Sequence, residues 1–279
     1  MRENNQIRLD VQKLKKIPTL SHTAEKILKM TSKETTHLDE LVTIIENDPP
    51  IMSKVLSIAN IVYLGNLKPI TNIKDALLKI GFNTLKNIAL SISIFSLFKY
   101  SKEKEASYKR LFRHSIATAS ACQIIAEKYL KEMPEDNFTA GMLHDIGLFA
   151  LYAIFYREFS EIEQLLTEGF SLKEAEKKVL GTTHGEIGKW LLDFWELPEI
   201  FRDVALYHDD NPDKSPLYKK NVALVQVANY IVYELEYTPF ATKTKFLINK
   251  EKIKEILELP SVEKLIDELK EPLKEVAYL

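Results

Sequence analysis

The sequence predicts an all-α protein. Apolar residues recur with a period near 3.6 along most of the chain, stretches of apolar–polar alternation are few, and glycine is scarce, with 8 in 279 residues. Helix-start and helix-stop chemistry then divides the chain. AEKILKM (24–30) and LDELVTII (38–45) read as short amphipathic helices. In NDPPIMSKVLSIANIVYLG, Asp48 is the expected N-cap, the prolines fill the first turn where their missing N–H groups cost nothing, and Gly65 is the expected stop. PITNIKDALLKIG starts at a cap on Asn72 and is expected to end at Gly81. FNTLKNIALSISIFSLFKY follows and is apolar enough to lie deep in the core. About five helices are therefore expected before residue 100.

KYSKEKEASYKR (99–110) is charged and lacks apolar rhythm until its end, so it reads as a hinge between two helical halves. The second half holds LFRHSIATASACQIIAEKYL, MPEDNFTAGMLHDIGLFALYAIFY, SLKEAEKKVLG, THGEIGKWLLDFW, LPEIFRDVALYH and LYKKNVALVQVANYIVYELEY. SLKE (171–174) and THGE (183–186) fit the Ser/Thr-x-x-Glu capping box. DDNPDKSP (209–216) is a loop by composition, and the tail from 250 onward reads as amphipathic helices split near Pro260. The expected organisation is an N-terminal helical half over 1–100, a second helical half over 101–236, and C-terminal amphipathic helices over 237–279.

Hydrophobic content of 46% and charged content of 28% are those of an ordinary globular protein, and 279 residues suffice for a sizeable core. The net charge of −2, with acids and bases interleaved, gives no electrostatic reason to expect nucleic acid or a membrane as partner. The single cysteine, Cys122, excludes an intramolecular disulfide and fits a reducing cytosol; a small buried side chain is expected there. MRENNQIRLDVQKLKK has no signal-peptide apolar core. The apolar runs at 88–98 and 146–156 are too short to span a bilayer. The expected location is cytoplasmic.

Six histidines occur, and four of them, His114, His144, His184 and His208, fall in the second half, each in a predicted helix or at its end. His144 is followed by Asp145 inside an apolar stretch, where both groups are costly to bury without partners. A converging set of neutral imidazoles and a carboxylate suits a divalent transition metal such as Fe, Mn, Ni or Zn. The same groups could instead satisfy one another, with Asp145 accepting hydrogen bonds from His114 or His144. On a helix, His144 and Asp145 would point about 100° apart, able to reach one metal obliquely or to bridge two. The THGE box puts His184 at the first helical position, where the helix dipole disfavours imidazolium and a neutral ring is expected. His22 and His37 carry no such pattern, and Trp190 and Trp195 are expected to be packing residues.

These motifs, in this order, resemble the HD superfamily of metal-dependent phosphohydrolases and, more closely, its HDOD relatives. The N-terminal half is similar through IPTLSHTAEKIL, IIENDPPIMSKVLSIANIVYLG and ITNIKDALLKIGFNTLKNIAL, and the second half through RHSIATA, AGMLHDIG and LGTTHGEIGKWLLDFWELPEIFRDVALYH. The resemblance covers roughly residues 13–236. It implies an HD-like helical bundle with an additional N-terminal helical subdomain. It also implies that His114, His144 and Asp145 match metal ligands, and that His184 and His208 match the extra histidines of bimetallic relatives. The last ligand of active members is an aspartate on a late helix, where this chain has Asn229. An amide oxygen is a poor ligand beside a carboxylate. Asp209 or Asp210 is the remaining source of a carboxylate. The lysine after HDIG in the cyclic-di-GMP-cleaving branch is Leu148 here, and no GYP motif follows. The resemblance therefore implies a bacterial signalling module with a degenerate HD-type pocket that acts by binding a signalling protein or small ligand, with a homo-oligomer as a candidate assembly. The alternative is a divalent-metal-dependent phosphohydrolase acting on a nucleotide or phosphate ester.

Overall fold

Cap chemistry positions the first helices. The structure, a computed structural model, describes residues 18–30, 36–63, 69–98, 105–131, 136–242 and 248–278. Ser21 Oγ accepts from the Ala24 N–H (3.1 Å) and starts α1, His22–Lys29. Helix α2, Thr36–Glu46, is followed by α3, Pro49–Val62, whose start is set by the Ile51 N–H donating to Asp48 Oδ1 (3.1 Å) with both prolines in the first turn. The Asn60 side chain then clamps the next segment: its amide donates to the Ile70 carbonyl (3.0 Å), and its oxygen accepts from the Ile70 N–H (2.8 Å). Gly65, the expected stop, lies outside the described residues.

Asn72 caps α4, Ile73–Phe95, through the Asp75 N–H (2.8 Å). Gly81 ends the first helical segment as expected, but with no loop after it. Its φ of 78° and ψ of 168° kink the helix, and the chain re-enters helical geometry at once. That conformation is open to glycine and strained for other residues. Beyond the kink, Leu85, Ile88, Ala89, Ile92, Ile94 and Phe95 are buried. With the two segments of α4 on either side of Gly81 counted separately, five helical segments precede residue 100 among the described residues, as expected.

The expected hinge over 99–110 is shortened by α5, Glu105–Tyr129; residues 99–104 lie outside the described set. The helix starts early because Lys109 pairs with Glu105 (2.7 Å) and the buried Tyr108 donates its hydroxyl to the Phe95 carbonyl (3.1 Å). Phe95 also packs edge-on against Phe149, with ring centroids 4.4 Å apart, so one hydrophobic core runs through both halves.

The second half continues with α6 (Asn137–Leu143), α7 (Ile146–Ile154), α8 (Tyr156–Thr167), α9 (Leu172–Leu180), α10 (His184–Phe194), α11 (Glu199–Tyr207) and α12 (Lys219–Glu234). Both expected capping boxes form, at Ser171–Glu174 and Thr183–Glu186. The 209–216 loop contains one 3-10 turn, Pro212–Lys214. The tail folds as α13 (Lys250–Leu257) and α14 (Val262–Leu273), separated at Pro260 as expected, and α14 packs on α12 and α5. The described residues contain no strand, and no single helix among them is long and apolar enough to cross a membrane. Cys122 is buried, and burial pushes its thiol well up. Trp195 is buried, with its indole N–H donating to the Pro18 carbonyl (2.8 Å), while Trp190 is partly buried against the core.

Candidate metal centre

Five separate pieces of backbone deliver the site. His114 lies in the middle of α5, His184 is the first residue of α10, and His208 ends α11. His144 and Asp145 do not share a helix, contrary to expectation. His144 ends α6 and Asp145 begins α7, and the Asp145 side chain makes no capping bond at that start. The break turns its carboxylate away from the helix terminus and into the pocket. The approach of α10 to this break depends on Gly147: a Cβ there would lie 1.9 Å from the His184 carbonyl oxygen.

Asp145 is the centre of the constellation. Its Oδ2 lies 3.3 Å from His114 Nε2 and 3.2 Å from His144 Nε2. Its Oδ1 lies 3.4 Å from His184 Nε2 and 3.2 Å from His208 Nε2. All five residues are buried. Two groups of potential ligands result, His114–His144–Asp145 and Asp145–His184–His208, each with its ligand atoms within 4.8 Å of one another.

The opposite edge of each ring fixes what faces inward. His114 Nδ1 lies 2.7 Å from the Tyr237 carbonyl, His144 Nδ1 is 2.6 Å from the Gly141 carbonyl, and His208 Nδ1 is 3.0 Å from the Ala205 carbonyl. A carbonyl only accepts, so each Nδ1 carries the proton. In a neutral ring the Nε2 lone pair then points toward the carboxylate. His114 Nε2 and His144 Nε2 have no hydrogen-bond partner despite full burial. Lone pairs packed against an anion call for a cation between them, and a divalent metal fits this donor set. Tyr237 is itself held, its hydroxyl donating to the Leu273 carbonyl in α14 (2.9 Å).

Two acids complete the surroundings. The His184 Nδ1–H donates to Glu176 Oε1 (2.7 Å), a fully buried carboxylate on α9. Asp209 Oδ2 lies 3.5 Å from His184 Nε2, and Asp209 Oδ1 lies 3.6 Å from His208 Nε2. Burial lowers the His144 pKa against the upward pull of Asp145. Burial opposes charge on His184 as well, but the carboxylates around it, Glu176 first and then Asp145 and Asp209, together outweigh it and raise this imidazole to about 10. The neutral ring expected from the helix dipole is thus overturned for the metal-free site by these acids. Burial would raise Asp145, yet the surrounding histidines, His144 first, hold it well below the usual carboxylate range.

Of the residues singled out in the sequence, His114, His144, Asp145, His184 and His208 come together here. Asn229 is buried on α12 and lines a cleft of about 520 Å³ together with Asp145, His208 and Asp209; its Oδ1 has no hydrogen-bond partner. His22 and His37 do not join the cluster, and His37 pairs with Glu40 (3.2 Å). Sequence reasoning missed Glu176. The signal was an acid on the same helical face as Leu172 and Leu180, one turn from each.

A family profile for the HDOD domain matches residues 17–211. The chain belongs to the HDOD family. Among solved structures, an HDOD domain protein of unknown function from Geobacter sulfurreducens superposes with a TM-score of 0.76 at 22% identity, over 99% of this chain and 100% of that one. A candidate phosphohydrolase from Shewanella amazonensis SB2B gives 0.72 at 19% identity, over 97% and 96%. A candidate signal transduction protein from Marinobacter aquaeolei VT8 gives 0.73 at 17% identity, over 100% of this chain and 60% of that one. These likenesses establish the HDOD fold. In sequence, the HDOD chain is similar to an uncharacterised protein of Treponema pallidum (strain Nichols), 22% identical over 240 residues, and to YuxH of Bacillus subtilis (strain 168), 28% identical over 191. It covers 84% and 67% of its own length in these matches, and spans 45% and 40% of the two relatives.

Proposed function

We propose that this chain is a regulatory HDOD module of a bacterial signalling pathway whose His-Asp pocket binds a divalent transition metal and does not turn over a substrate. One observation carries the metal reading: four buried Nε2 atoms surround the two oxygens of Asp145 at 3.2–3.4 Å, with an acceptor behind every Nδ1. His114, His144 and Asp145 would hold one ion, and Asp145 with His184 and His208 another. Fe, Mn, Ni or Zn suits these donors, and a bound ion would polarise a phosphate oxygen. The regulatory reading is supported by Asn229, an uncharged amide at the position where active relatives of the HD superfamily carry their last aspartate. The partners we propose are signalling proteins in the cytoplasm, with a homo-oligomer as the candidate assembly.

Elemental mass spectrometry on protein purified without chelator or His-tag tests this reading, with Asp145→Ala, which removes the carboxylate both ligand groups share, beside it. Near-stoichiometric metal that disappears in the variant is the expected result. No metal in either sample would reduce the cluster to a hydrogen-bonded core network.

A second reading, a metal-dependent phosphohydrolase of nucleotides or phosphate esters, is favoured by the 520 Å³ cleft that reaches Asp145 and has Lys173 and Lys252 in its wall. Phosphate release from a panel of such esters by metal-loaded protein, abolished in His144→Ala, would establish it in place of the first.

A further inference from the structure

We infer that the two halves of the cluster are unequal: the first divalent ion is held by Asp145, His184, His208 and Asp209, and the His114–His144 half binds a second ion weakly. This rests on the metal reading above and assigns to Asp209 the carboxylate that Asn229 does not offer.

The argument is one of charge and aim. His184 Nε2 and His208 Nε2 lie 3.1 Å apart, and both face two carboxylates, Asp145 at 3.4 and 3.2 Å and Asp209 at 3.5 and 3.6 Å. A third acid, Glu176, backs His184. His114 and His144 share one oxygen, Asp145 Oδ2, at 3.3 and 3.2 Å. What α12 adds to the cleft beside them is the uncharged Asn229; one turn on, the Tyr233 ring packs against His114 with centroids 5.4 Å apart. The ion must displace a proton from His184, and the carboxylates of Asp145 and Asp209 that face this half favour that exchange, so the half with the extra anionic oxygen binds a divalent ion first.

Asp209 is placed for this by the end of α11. It follows His208 directly where the chain leaves the helix, and it borders both the 520 Å³ cleft and a 400 Å³ cavity on the His184 side. Asp210 is engaged elsewhere: it accepts from Lys214 Nζ (2.7 Å) and from the Asn211 N–H (2.7 Å). Only the first aspartate of the pair faces the imidazoles.

The test is calorimetric titration of Zn²⁺ or Mn²⁺ into the metal-stripped 279-residue chain, with bound ions counted by elemental analysis and folding checked by metal-free melting. The wild type should bind one ion tightly. Asp209→Asn should weaken that ion by about tenfold or more, whereas Asp210→Asn, an equal charge change one residue away, should leave it unaltered. His114→Ala should keep it. If the amide disturbs the loop, Asp209→Ala answers the same question. Tight binding that survives in Asp209→Asn but vanishes in His114→Ala would overturn this assignment alone. No binding by any form would overturn the metal reading with it.

Discussion

The carbonyl oxygen of His184 lies where a side chain on Gly147 would have to be: a Cβ would sit 1.9 Å from it. The contact is backbone to backbone, so no rotamer change relieves it. Gly147→Ala must push α7 and α10 apart, and these helices carry Asp145 and His184. The expected loss is about 3 kcal/mol of stability, read by urea unfolding. Metal binding should fall in whatever protein still folds.

Glu176 is buried and positions His184 through its Nδ1–H. Glu176→Gln keeps an acceptor of the same shape and removes the charge. The helical far-UV signal should stay unchanged while metal affinity drops by about 10- to 100-fold, the usual cost of losing a partner behind a ligand. Affinity equal to that of the wild type would show that the charge of Glu176 has no role in holding the ion.

Asn229→Asp adds a carboxylate to α12 at a position where the amide oxygen is buried without a partner. The number of ions bound per chain should rise from one to two, measured by elemental analysis after dialysis. In metal-free protein the same change should lower the melting temperature, because another anion joins a cluster already holding Asp145, Asp209 and Glu176. Addition of metal should reverse the loss.

Asp213 ties the 209–216 loop to the C-terminal helices. Its carboxylate meets Lys219 Nζ (2.6 Å) and Lys252, and hydrogen bonds to Lys219 and then Lys252 bring its pKa from 3.8 down to about 2. A carboxylate depressed on folding stabilises the protein above its unfolded pKa, and the contribution fades as pH falls through the folded one. The effect should therefore be present above pH 3.8 and disappear between 3.8 and about 2. Asp213→Asn should melt slightly lower than the wild type near neutral pH, and the gap should close with acid and shrink with salt.

Much of the architecture was legible because it is written in local chemistry. Asp48, Asn72, Ser171 and Thr183 each announce a helix start through a side chain and the backbone within three residues of it. The site was legible in composition but not in arrangement. Nothing local distinguishes the break between His144 and Asp145 from a continuous helix, since GMLHDIGLF is apolar on both sides. The protonation of His184 depends first on Glu176, eight residues earlier across a turn. The role of Asp209 over Asp210 depends on where Lys214 and Asn211 draw the second carboxylate. Each of these is a tertiary fact.

The bond from His114 to the Tyr237 carbonyl, and from the Tyr237 hydroxyl to Leu273, has a practical meaning for anyone who excises this domain. The HDOD family match stops at 211, before Asn229, Tyr237 and both tail helices. A fragment trimmed to those limits would keep the HDIG signature and all four pocket imidazoles yet lose the acceptor that sets which nitrogen of His114 looks inward. The working unit for expression therefore reaches at least to Leu273, and an inert shorter fragment would be uninformative about the intact pocket.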